Sequence, residues 1–285
     1  MPRKSTFIVA PSPLDAYSPA QIAARVEHVG VTKALLPTGP TIALGALAGA
    51  FIALGAMLFT LVMTQAGDGF GLMQLLGGVA FSLGPILVVV GGAELFTGNN
   101  LIVMAWAHRK ITTRALLRNW TLVYLANFMG ALVLVALAFL SGHLALGDHA
   151  VGAHALTIAL VKVNLPFWEA FFRGVLCNVL LCLAVWLCYA AHDVASKILA
   201  IMFPISAFAA LGFEHSVANM YMIPIGILAA ADPAIVAVAG AAPDALAGLS
   251  LAGFGRNLLP VTLGNIVGGG VLVALVYYII YLRER

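Results

Sequence analysis

The sequence predicts an all-α membrane protein in which six transmembrane helices form two inverted three-helix repeats, with helices two and five broken. Three observations carry this. The 285 residues are 62% hydrophobic and 9% charged, with a mean hydropathy of +1.06, whereas a soluble domain devotes about a quarter of its residues to charge. Runs of the length a bilayer requires, about 20 apolar residues, lie at roughly 40–63, 72–107, 118–140, 167–189, 198–230 and 257–282. Inside the second and fifth runs, GAELFTGN (Gly92 to Asn99) and GFEHSVAN (Gly212 to Asn219) repeat glycine, acid and Asn at an offset of 120.

Residues 1–36 read as a cytoplasmic N-terminal segment, and 37–285 as one transmembrane transport domain with repeats over about 40–140 and 165–282. Residues 1–17 are expected to be disordered or extended. Ser18-Pro19-Ala20-Gln21 then has the cap residue, first-turn proline and Gln of a helix start. Ile22, Val26 and Val29 make that helix amphipathic, so it suits the membrane interface and docking on the protein equally. Segments three and six repeat Asn119, Asn127, Gly130 and LVAL as Asn257, Asn265, Gly268 and LVAL, at an offset of 138. Segments one and four match weakly, through Gly49 and Gly174. An odd number of spans per repeat inverts the second copy, which places a transport site near the midplane.

Basic residues set the orientation. Of fourteen Lys and Arg, all but Lys162, Arg173 and Arg256 fall on the side of the N-terminus, so both termini are expected in the cytoplasm. The charge is thus a topology signal, with no nucleic-acid partner implied.

Segments two and five are long for one straight span and contain Gly84-Pro85, Gly91-Gly92, Pro204 and Gly212. Interruptions are expected near 84–94 and 209–218. Irregular backbone survives at that depth only when buried in protein or lining a cavity. A carboxylate at the membrane centre costs roughly 2.5 to 3.5 kcal/mol. Glu94 and Glu214 are therefore expected to support the breaks by accepting hydrogen bonds from freed backbone N–H groups, with Asn99 and Asn219 beside them. The resumed half-helices would present free N–H groups and dipoles to an anion.

Other features argue for little chemistry. Cys177, Cys182 and Cys188 lack metal-ligand spacing, and no metal or cofactor is expected. His143, His149, His154 and Asp148 read as a solvated outer loop, and 231–256 as a loop over the outer mouth. Glu214-His215-Ser216 has neither a GxSxG elbow nor a second HExxH histidine, which argues against an enzyme. A neutral-solute channel would suit the fold, but paired Asn-Pro-Ala motifs are absent from the breaks.

With GAELFTGN, GFEHSVANM and NLLPVTLGNIVGGG in order, the chain resembles the formate/nitrite transporter family from about residue 25 onward. FSLGPILVVVGGAELF and the C-terminal YLRER are more similar to its formate-channel branch. The resemblance implies a homopentamer of aquaporin-like protomers, each with its own pore, in the bacterial inner membrane. It implies transport of small monovalent anions, formate first, then nitrite, hydrosulfide or lactate, with proton coupling open. Residue by residue, it makes His215 the central pore histidine, Thr97 its partner, Asn178 a pore-facing polar group and Lys162 the vestibule cation that attracts anions. Phe81, Leu95, Phe96 and Phe208 match apolar constriction positions. Pro85 stands where formate channels carry leucine in a mobile gating loop, and would stiffen it.

Overall fold

In the computed structural model, which describes residues 15–64 and 69–283, helix α1 (Pro19–Ala34) begins with the expected capping box: the Ser18 hydroxyl accepts from the Gln21 N–H and the Gln21 side chain from the Ser18 N–H. The stretch expected to be disordered or extended over 1–14, and the charges of Arg3, Lys4 and Arg285, lie outside the described residues. The apolar face of α1 is docked on the protein: Ile22, Ala23 and Val26 are buried in one cluster with Ile102 and Met104.

The first repeat then runs through α2 (Thr38–Met63), α3 (Phe70–Phe81), α4 (Leu83–Gly91), a 3-10 turn at Gly98–Ile102, α5 (Val103–Ala107) and α6 (Thr113–Leu140). The second is preceded by α7 (Ala150–Val163) and comprises α8 (Phe167–Ala190), α9 (Val194–Ala210), α10 (Ser216–Ala229), α11 (Pro233–Ala239), α12 (Pro243–Leu246) and α13 (Leu251–Ile266). A π-helical stretch, Val267–Leu275, leads into α14 (Val276–Tyr281). Five of these units, α2, α3 with α4, α6, α8 and α13 through α14, are long and apolar enough to cross a membrane. The remaining span is shared by α9 and α10 on either side of a break. Tyr124 and Thr262, repeat mates in α6 and α13, hydrogen bond to each other at 2.8 Å, as residues near a two-fold pseudo-axis must.

Each break is made by a left-handed glycine. Gly92 ends α4 at φ +82 and Gly212 follows α9 at φ +68. In both, the next N–H reaches back five residues, Ala93 to the Val88 carbonyl at 2.8 Å and Phe213 to Phe208 at 3.0 Å, closing the helix end as a Schellman-type cap. The first interruption therefore lies at Gly92–Thr97, later than expected. At Gly84-Pro85 the helix only kinks: the Ser82 N–H still bonds the Gly78 and Val79 carbonyls at 3.1 Å. Pro85 sits in the first turn of α4, where a missing N–H costs nothing. That position is helix, and the expected loop there is corrected.

Two other expectations change. Residues 231–256 hold α11, α12 and the start of α13, and the histidine-rich outer segment is a 3-10 turn followed by α7. That helix repeats α1. Lys33-Ala-Leu-Leu-Pro37 ends α1 and Lys162-Val-Asn-Leu-Pro166 ends α7, with Pro37 and Pro166 opening α2 and α8. The register of helices one and four is thus 129, pairing Gly45 with Gly174 and not Gly49 with Gly174.

Candidate transport site

The repeats build two copies of one polar cluster, and the backbone freed at each break explains its composition. The Glu94 N–H bonds the Leu44 carbonyl at 3.2 Å and the Glu214 N–H bonds Arg173 at 3.3 Å. Asn127 accepts from the Phe96 N–H at 2.9 Å and donates to the Gly45 and Glu94 carbonyls at 2.7 and 2.9 Å. Its mate Asn265 accepts from the Ser216 N–H at 2.9 Å and donates to the Gly174 and Glu214 carbonyls at 2.8 and 3.0 Å. One buried amide thereby settles three backbone groups that would otherwise be unpaired in an apolar medium.

The carboxylates take a different role from the one expected. Glu94 accepts from Lys33 Nζ at 2.6 Å and Asn99 Nδ2 at 2.7 Å, and Glu214 from Lys162 Nζ at 2.7 Å and Asn219 Nδ2 at 2.6 Å. Asn119 and Asn257 complete the clusters, each accepting from that asparagine amide and donating to the carbonyl of Lys33 or Lys162. Capping by backbone N–H groups is therefore replaced by part-buried ion pairs, whose opposite charges meet at contact distance.

Between the clusters lies His215, 2% exposed. Its Nδ1 accepts the Ala218 N–H at 3.0 Å as the N-cap of α10. The neutral ring then carries its proton on Nε2, which donates to the Thr97 hydroxyl at 2.8 Å. Phe208 stacks on the imidazole with centroids 6.1 Å apart, and Phe81 meets Phe208 edge-on at 5.6 Å. Three of the first four α10 amides are taken as well: those of Ser216, Ala218 and Asn219 bond to Asn265, the His215 ring and the His215 carbonyl. At the second break the N–H groups expected to face an anion are thus largely taken by the protein.

Two cavities flank this centre. One of about 340 Å³ is lined by Arg25, Lys33, Pro85, Glu94, Leu95 and Asn99 among others. The other, of about 280 Å³, is lined by Phe81, His154, Lys162, Phe208, Glu214, His215 and Asn219 among others. Phe81, Phe208 and His215 thus come together at the floor of the second cavity, and Leu95 faces the first. Phe96 lines neither; its ring packs edge-on against Tyr124 at 4.8 Å and Trp120 at 6.1 Å. Asn178 also lines neither and is fully buried, donating to Asn100 Oδ1 at 2.8 Å, the Thr97 carbonyl at 3.2 Å and the Asn265 carbonyl at 2.6 Å. It ties the first break to the end of α13 just before the π-helical stretch, where Gly269 leaves room that a Cβ would take from its amide. Lys162 has a side chain only 13% exposed and is bound to Glu214, so it is no bare charge. Lys33, counted above only for topology, is its counterpart; the repeated Lys-x-x-Leu-Pro was the signal for it.

Residues 20–279 match the family described as formate/nitrite transporter. The formate channel FocA of Escherichia coli K12 is 43% identical over 280 residues, covering 97% of this chain and 98% of its own. The formate channel FocA of Haemophilus influenzae is 40% identical over 262 residues, covering 90% and 92%. Among solved structures, a pentameric formate channel with formate bound aligns with a TM-score of 0.80 and 40% identity, covering 86% of this chain and 98% of that one. A duplicated, broken-helix membrane core whose motifs and full length align in this way is decisive: the chain belongs to the formate/nitrite transporter family.

Proposed function

We propose that the protein is a channel for formate in the bacterial inner membrane, assembled as a homopentamer with a pore in every protomer and both termini in the cytoplasm. Residues 37–285 form its transport domain, with 1–36 as the cytoplasmic N-terminal segment. The observation that carries this reading is the constricted centre: Phe81, Phe208 and the Thr97-bonded His215 stand between two cavities, each holding a part-buried Lys–Glu–Asn cluster. Apolar constrictions exclude hydrated ions, so an anion must exchange water for protein donors on its way in.

Lys162 supplies such donors. One of its three N–H groups is used by Glu214, and the side chain lines the outer cavity. A small carboxylate then meets the Nε2–H of His215, which it takes from Thr97. Asn178 acts one step behind, holding the Thr97 carbonyl. Leu95 serves as the apolar surface on the inner side, while Phe96 anchors the first break against α6. Cation-bearing cavities give a neutral solute no advantage, which favours an anion over the neutral-solute reading.

Proteoliposomes test this directly. Saturable formate flux, competed by nitrite, with no increase in glycerol-driven swelling, is the expected result. Equal swelling in glycerol with no formate flux would overturn the reading.

A further inference from the structure

The walls that carry the two Lys–Glu pairs repeat each other beyond the pore motifs. α1 lines the inner cavity with Arg25, Val29 and Lys33, and α7 lines the outer one with His154, Ile158 and Lys162. Both sets recur every four residues, the spacing of one helix face. At the offset of 129 that pairs Lys33 with Lys162, Arg25 pairs with His154. Each wall therefore bears two basic groups two turns apart, about 12 Å along the axis. Lys162 is the deeper one, at Glu214 beside the break, whereas Ala155 and Ala159 pack at Gly226 near the far end of α10. His154 thus stands towards the mouth.

We propose that His154 is a pH-responsive anion-capture residue of the outer vestibule: protonated, it gives this mouth the second cation that Arg25 gives the inner mouth permanently. The inference rests on the anion-channel reading above. Charge accounting on this wall leaves a place for it. Lys162 is neutralised by Glu214 at 2.7 Å, and Arg173 is paired with Glu169 at 3.4 Å. His215 closes the cavity floor. Of the elements packed on α7, α10 brings Tyr221, α13 Arg256, the outer 3-10 turn His143, and the cap of α11 Asp232, which faces His149 at 4.0 Å.

The direction follows from burial. His154 is half-buried, and desolvation holds its imidazole below the usual histidine range, about 6.5. It is neutral at pH 7 and gains charge as the outside turns acidic. One added charge about 10 Å from an entering anion is worth roughly a twofold gain in capture at low salt, and less as salt screens it.

Formate influx into proteoliposomes at subsaturating formate, with the interior buffered and the outer pH stepped from about 7.5 to about 5.5, tests this. His154→Gln should lower the variant-to-parent flux ratio as the outer pH falls, and His154→Arg should raise it at neutral pH. A ratio independent of pH in both variants would overturn the proposal. Carbon-13 labelled histidine in the solubilised pentamer gives a second reading, with the His154 signal identified by its loss in His154→Gln. Because binding and protonation are reciprocal, formate should raise its titration midpoint; an unmoved midpoint would overturn the proposal. Absent formate flux in the parent would instead sink the channel reading, and the titration would still decide on His154.

Discussion

At the residue scale, His215 does two jobs that one substitution can separate. Its Nδ1 caps α10 and its Nε2 meets Thr97. Asparagine is among the best N-caps but has no proton to exchange near neutrality. Made in the His154→Gln background, His215→Asn is expected to assemble with a melting temperature close to that background's while losing the remaining pH dependence of formate flux that an imidazole confers. A retained pH profile in a correctly assembled variant would assign His215 to capping alone. The Lys162–Glu214 pair invites a double-mutant cycle. Removing one partner of a buried pair costs about 3–5 kcal/mol, so Lys162→Ala and Glu214→Gln should each destabilise strongly, and the double variant much less than their sum. Additive losses would show that the two groups act separately. Since the pair carries no net charge, the flux lost in the double variant should also depend little on salt.

At the scale of elements, the breaks stand because side chains replace the helical ladder. Asn127 and Asn265 each hold three backbone groups. Asn127→Leu, similar in size, leaves them buried and unpaired at about 1–3 kcal/mol each. The pentamer is expected to lose thermal stability by several kcal/mol, whereas Asn164→Leu, in an exposed bond to the Leu160 carbonyl, should change little. Equal effects would remove Asn127 from the scaffold. Close helix contact depends on glycine in the same units. A Cβ on Gly130 would collide with the Ala46 carbonyl and one on Gly268 with Val175, so α2 meets α6, and α8 meets the π-helical stretch, backbone to backbone.

At the scale of the whole molecule, inversion makes the two faces alike in architecture and different in charge. The inner mouth has Arg25, Lys33 and Lys197, and the outer has Lys162 with His154 and Arg173. The proposed orientation is open to labelling with a membrane-impermeant thiol reagent, because Cys177, Cys182 and Cys188 are all buried. A cysteine at Ser18 should react only from the cytoplasmic side and one at Asp244 only from outside. Labelling of both from one side would refute the inverted arrangement.

The sequence by itself determined the class, the six spans, the inversion and the positions of both breaks to within a few residues. Period, apolar length and a polar repeat are local properties, and membrane insertion makes them costly to disobey. It also showed Glu94, Glu214, Asn127, Asn265 and His215 as out of place in apolar runs. Their partners were decided by the tertiary structure. Lys33 lies 61 positions from Glu94 and Lys162 lies 52 from Glu214, so no local pattern joins them, and carboxylates read as caps became ion pairs. Phe96 turned away from the cavities because side-chain direction at a break follows the local backbone rather than a helical period, and Asn178, on α8, because its amide is taken up by Thr97, Asn100 and Asn265. His154 looked like one histidine of an outer loop until α7 folded as the copy of α1 and turned it into the vestibule.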